Sequence, residues 1–135
     1  MGQKIGLDTS FWIYFLEENP RYVHKTRLFV DAIEAGRIEA VFSSIGLIEV
    51  LTGPKRAGNF ALAGQYRELL ARFPHLTIGG INEAIVEIAS DLRATYGIST
   101  PDAIHIATAI DAGAQKFITN DKRLKRIKEI AIELL

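Results

Sequence analysis

Short apolar runs of three to six residues alternate along this chain with longer stretches of helical periodicity, and that alternation restricts it to an α/β fold. Lys4 to Leu7 reads as a strand that ends at Asp8, after which Thr9 or Ser10 caps a helix through Phe11 to Glu17. Leu28, Val30 and Ile33 place a surface helix over Val23 to Ala35, closed by Gly36, and Ile38 to Phe42 follows as a strand. Ser43 or Ser44 caps a third helix, which Gly53 and Pro54 are expected to stop at Leu51. Phe60, Leu62, Ala63, Tyr66, Leu69 and Leu70 give a helix over Asn59 to Phe73, and Leu76 to Ile78 is a further strand. Asn82 caps a helix to about Tyr96, and Thr100 as cap with Pro101 at the first helical position opens another that ends at Asp111 and Gly113. Lys116 to Thr119 and Glu129 to Leu134 supply the last two strands. Five short strands among helices predict a mostly parallel sheet with helices on both faces, whose ligands bind beyond the carboxyl ends of the strands.

At 135 residues, 48% of them hydrophobic, residues 1–135 form one domain with material for a real core. The chain has no cysteine, so neither a disulfide nor a thiolate zinc site holds it, which suits a cytoplasmic protein. Asp8 interrupts the first apolar stretch, and Phe11 to Leu16 is far too short to span a bilayer, so neither secretion nor a membrane location is expected. Sixteen basic residues balance sixteen acidic ones, and the net field is uninformative. Their distribution is not: Lys116, Lys122, Arg123, Lys125, Arg126 and Lys128 crowd one stretch in which Asp121 is the only acid before Glu129.

Four acids stand in otherwise neutral surroundings. Asp8 is the only formal charge from Ile5 to Leu16, and Glu49 the only one from Ala40 to Pro54. Asp102 is alone from Ala94 to Ile110 apart from His105, and Asp121 follows the uncharged run Phe117 to Asn120. A carboxylate in an apolar stretch is costly to bury unless it is paired or binds a cation. Each has a simpler use: Asp8 and Asp121 as helix caps, Asp102 as a partner for a helix start, Glu49 as a solvated side chain. All four fall at strand ends or early in the following helix, so one sheet edge can collect them. Carboxylates without a histidine cluster suit magnesium or manganese. His105, one turn after Asp102, reads as a packed helix residue.

At these residues the chain resembles the PIN-domain nucleases, especially the VapC-like toxins of toxin–antitoxin pairs. The resemblance spans the whole chain and rests on Ile5-Gly6-Leu7-Asp8-Thr9-Ser10, on Ser43-Ser44-Ile45 leading to Glu49, on Thr100-Pro101-Asp102-Ala103-Ile104-His105-Ile106-Ala107, and on Phe117-Ile118-Thr119-Asn120-Asp121. It implies a three-layer α/β/α fold with a central, mostly parallel five-stranded sheet and a Mg2+- or Mn2+-dependent endoribonuclease site. Asp8, Glu49, Asp102 and Asp121 would be catalytic and metal-binding, with Glu49 positioning water or a second ion. Thr9 and Thr119 would be hydroxyl supports for the neighbouring carboxylates, and Asn120 occupies a further motif position. The resemblance also implies an RNA substrate, a cognate antitoxin and a homodimer. Lys122, Arg123, Lys125 and Arg126 are the expected guides for the RNA backbone. Two other readings stay open: a PIN-domain RNA-processing nuclease that is not a toxin, and a silent PIN-like module that binds RNA or protein. A phosphotransfer receiver is disfavoured, because it wants an adjacent acidic pair where this chain has Asp8-Thr9-Ser10. A haloacid-type phosphatase is too, because Ser10 stands where its second aspartate belongs.

Overall fold

Each strand carries a nearly unbroken apolar run because both faces of the sheet are covered. The computed structural model describes residues 3–135, with five strands in the order β3-β2-β1-β4-β5, and every neighbouring pair is parallel. In chain order the elements are β1 (Gln3–Leu7), α1 (Thr9–Leu16), α2 (Val23–Glu34), β2 (Ile38–Ser43), α3 (Ser44–Arg56), α4 (Phe60–Ala71), β3 (Leu76–Gly79), α5 (Glu83–Tyr96), α6 (Thr100–Asp111), β4 (Lys116–Thr119), a 3-10 turn (Lys122–Arg126) and β5 (Ala131–Leu134). This is the three-layer α/β fold expected, with the sheet parallel throughout rather than mostly so.

Two cores form, one on each face. Phe11, Trp12, Ile33, Phe42 and Leu70 pack on one side with Ile118, while Ile85, Leu92, Ile106 and Ile132 pack on the other with Phe117. The adjacent residues Phe117 and Ile118 enter opposite cores, as the two-residue period of a strand requires. α6 lies tightly over β1 because Gly6 has no side chain: a Cβ there would stand 2.3 Å from Cβ of Ala109. Gly46 in α3 similarly makes room for the ring of Phe42, which a Cβ would meet at 2.1 Å.

The structure corrects several of the expected boundaries. Asp8 itself, not Thr9 or Ser10, caps α1, and Ser99, not Thr100, caps α6, so Pro101 falls one position further in. β5 begins at Ala131 and not Glu129. α3 does not stop at Leu51 but continues through Gly53 and Pro54 to Arg56. Proline removes one helical hydrogen bond, yet the Pro54 ring is buried, and the last turn closes through Ala57 N–H to the Gly53 carbonyl at 3.1 Å. The helix ends at Gly58, whose φ of 76° only glycine adopts freely.

Candidate active site

The strand order changes direction between β1 and β4, since the chain winds outward through β2 and β3 and then returns to the other side of β1. A crevice forms at such a switch point, beyond the carboxyl ends of the two strands. Asp8 follows β1, and its carboxylate accepts the Thr9 backbone N–H at 2.7 Å and the Thr119 hydroxyl at 2.6 Å. Thr119 ends β4, is fully buried, and accepts the Asp121 backbone N–H at 3.1 Å. One hydroxyl thus links both strand ends. Burial pushes the Asp8 carboxyl above its usual range; the Thr119 hydrogen bond, nearby His105 and the Thr9 N–H oppose this, and the Asp102 charge adds a smaller upward push.

Asp102 lies in the first turn of α6, where its backbone N–H donates to Ser99 Oγ at 3.3 Å. Among the described residues its carboxylate has no ion pair. It shares a pocket of about 160 Å³ with Asp121, Arg123 and Arg126. Asp121 caps the 3-10 turn and is gripped by Arg123, which donates from Nε at 3.0 Å and from a terminal nitrogen at 2.8 Å. That guanidinium holds the Asp121 carboxyl below its ordinary range.

Glu49, half-exposed on α3, accepts the Thr9 hydroxyl at 2.6 Å and the His105 Nε2–H at 3.0 Å. The His105 hydrogen bond, first among the causes, keeps the Glu49 carboxyl low despite partial desolvation. His105 is buried as expected and stacks on Phe42 with ring centres 5.9 Å apart, but it is also a partner of the site. Its spacing from Asp102 was the available signal, since residues three apart share a helix face. Thr9 serves two carboxylates, Asp8 through its backbone and distant Glu49 through its hydroxyl. Asn120 turns away and donates to the Tyr14 hydroxyl at 2.6 Å.

As they stand, no three acids or histidines among the described residues form a group that could hold a metal ion, Asp121 being turned to Arg123. The donor chemistry nevertheless fits a hard divalent cation. Asp102 adds to the electrostatic cost of Asp8, and neither carboxylate forms an ion pair among the described residues, which leaves both able to accept a cation.

The expected basic strip divides. Arg123 is spent on Asp121, Lys125 donates to the Ile132 carbonyl at 3.2 Å, and Arg126 donates to the Tyr96 carbonyl at 2.5 Å while lying over the Tyr96 ring. Lys122 alone of the four has no hydrogen bond or ion pair among the described residues, and it faces the opposite side of the loop. Successive residues of a 3-10 turn point about a third of a turn apart, which scatters a cluster that is contiguous in sequence.

A family model of the PIN domain matches residues 5–130. The chain belongs to the PIN domain family. No curated protein matches it in sequence. Among solved structures, this PIN domain is similar to VapBC2 of Rickettsia felis bound to a promoter DNA fragment (19% identity, 98% of each chain covered, TM-score 0.76). A toxin–antitoxin complex of Klebsiella pneumoniae matches at 26% identity over 96% of each chain, with TM-score 0.70. VapC20 of Mycobacterium tuberculosis, a toxin that cleaves the sarcin-ricin loop, matches at 18% identity over 94% of this chain and 98% of that one, with TM-score 0.69. PIN nucleases generally use divalent metal ions, which agrees with the all-oxygen donors gathered at this switch point.

Proposed function

We propose that this PIN domain is a Mg2+- or Mn2+-dependent endoribonuclease and the toxin of a type II toxin–antitoxin pair. The observation that carries the reading is the pair of carboxylates without ion pairs among the described residues, Asp8 and Asp102, at the switch point, with Glu49 held beside them by Thr9 and His105. Bound there, a divalent ion would supply an activated water and neutralise charge growing on the scissile phosphate. Asp8 and Asp102 would hold it, and Asp121 would join them when Arg123 releases its carboxylate. Thr119 fixes the Asp8 rotamer, so the chain loses little freedom on binding the ion. Glu49 would orient the attacking water, its carboxyl kept low by the hydrogen bonds from His105 and Thr9. A second free histidine, needed for acid–base cleavage through the ribose 2′-hydroxyl, is absent among these side chains, so hydrolysis would leave 5′-phosphate ends.

The toxin assignment rests on the similarity to toxin–antitoxin complexes, and with it come an antitoxin partner, a homodimer and a cytoplasmic setting as proposals. No helix of the described residues is long and apolar enough to cross a membrane. The test is cleavage of single-stranded or loop RNA by purified protein with Mg2+ or Mn2+. Cutting that stops with chelator and in Asp8→Asn, and leaves 5′-phosphates, supports the reading; cyclic phosphate products or cutting unaffected by chelator overturn it.

A further inference from the structure

We propose that the basic depression between the start of α2 and the loop after β4, where Arg21, Lys25 and Lys122 surround the stacked Tyr14–Tyr22 pair, is a subsite for one nucleotide of single-stranded RNA next to the bond that is cut. The inference rests on the ribonuclease reading above. The depression is about 280 Å³, and no acidic side chain lines it among the described residues.

Three features converge there. The Tyr22 ring lies on Tyr14 with centres 4.3 Å apart and planes 18° from parallel, which holds the ring in place and leaves the face beneath Arg21 as the one a base can share or take from the guanidinium. The Arg21 guanidinium sits 5.4 Å from the centre of the Tyr22 ring. The Tyr14 hydroxyl accepts from Asn120, the residue between Thr119, which holds Asp8, and Asp121. The stacked pair is therefore tied to the short loop that carries Asp121 and joins it to Thr119, one residue or about 4 Å along the backbone from either neighbour. Lys25 is anchored by donation to the Leu134 carbonyl at 3.0 Å, and Lys122 has no hydrogen bond or ion pair among the described residues.

The chemistry selects a nucleotide. Every base has a π-face to lay on an aromatic ring, and lysine and arginine beside it neutralise the adjoining phosphates without reading sequence. Arg123 and Arg126, on the other side of Asp121, are spent on Asp121 and on the Tyr96 carbonyl. The positive charge that remains available beside the acids is thus on the α2 side, and the substrate strand enters from there.

The experiment measures cleavage of a labelled single-stranded RNA by the full chain, and its binding in an Asp8→Asn background across a salt series. The exposed triple Arg21→Ser/Lys25→Ser/Lys122→Ser should raise KM and Kd at least tenfold and leave kcat within about twofold. It should also flatten the slope of log Kd on log salt by about 2, at roughly 0.7 for each phosphate no longer neutralised. Tyr22→Leu should weaken binding roughly five- to hundredfold, with Tyr22→Phe restoring it because the ring face is kept. A control triple of equal charge on α3 and α4, Lys55→Ser/Arg56→Ser/Arg67→Ser, should change KM by less than threefold. If wild type cuts RNA while the first triple does no more than the control, or Tyr22→Leu binds like wild type, the subsite is wrong and the nuclease reading stands. If wild type cuts no RNA with either metal, the reading falls and the subsite with it.

Discussion

Asp8 and Asp121 stand just beyond the ends of neighbouring strands and are satisfied in opposite ways. Asp8 is held by a backbone N–H and the neutral hydroxyl of Thr119, whereas Asp121 is clasped by the two-pronged guanidinium of Arg123. The first arrangement fixes a carboxylate in place without an ion pair, at the cost of a carboxyl raised by burial. The second neutralises the charge and lowers the carboxyl. An incoming cation therefore meets carboxylates without ion pairs at Asp8 and Asp102, and one already occupied at Asp121. Hydroxyl support keeps a ligand ready; guanidinium support keeps it in reserve.

The largest effect that separates the two sides is on cleavage. Asp8→Asn should slow RNA hydrolysis by about a thousandfold or more, the scale of the several kcal/mol that a catalytic metal supplies. Arg123→Ser should change the rate by less than about tenfold. Single-turnover rates of both variants decide it, and a fully active Asp8→Asn would break the comparison outright.

Next is the hydroxyl itself. Thr119→Val keeps the shape of a buried side chain but strips Asp8 of one donor and the Asp121 N–H of its acceptor. A loss of about 1–3 kcal/mol is expected, seen as a fall in Tm of roughly 3–10 °C, and Thr119→Ser should recover most of it. Equal melting of the valine and serine variants would show that the hydroxyl does not support the strand ends.

Repulsion between Asp8 and Asp102 gives a smaller effect. In chelator, Asp102→Asn should melt above wild type by up to about 1 kcal/mol of stability, and rising Mg2+ should reverse the ranking because wild type gains more from binding. Asp8→Asn should behave alike in chelator, with a pH signature. Because the folded-state pKa of Asp8 is raised, wild type recovers the cost of its ionisation as the pH falls through that raised value. The stability advantage of Asp8→Asn should accordingly shrink on acidification and vanish below about 3.8, the ordinary value of the carboxyl. A constant advantage across pH would mean that burial of the Asp8 charge is not its origin.

The smallest effect should come from the exposed Arg123–Asp121 pair. Arg123→Ser should leave thermal stability within about 0.5 kcal/mol while raising Mg2+ affinity severalfold, as calorimetry can measure, by freeing Asp121. Unchanged affinity would remove Asp121 from the metal-binding set.

Much of this was legible in the sequence because it is local. Strand ends, most helix caps and the isolation of the four acids follow from neighbours within one or two turns. Pro54 misled because its helix tolerates one lost hydrogen bond for a buried ring, which depends on packing partners far along the chain. The Glu49–Thr9–His105 contacts join residues 40, 56 and 96 positions apart, so no window of sequence contains them. The basic run illustrates the reverse error: Lys122, Arg123, Lys125 and Arg126 are contiguous in sequence yet diverge in space, while Arg21 and Lys25 reach the same loop from the other end of the chain.

The bond between Thr119 and Asp8 joins residues 111 positions apart, across the pairing of β1 with β4. During synthesis at roughly 5–20 residues per second, Asp8 is made about five to twenty seconds before Thr119 and Asp121 exist. Throughout that interval the first carboxylate lacks the Thr119 hydroxyl that aims it, and Asp121 is missing from the set. Closing so long a loop is also among the slower steps of folding, so assembly of the acids waits on the final pairing of strands. The complete set of acids is thus a late product of synthesis, set by the β1–β4 pairing. A nuclease whose acids met on one early hairpin would lack that delay.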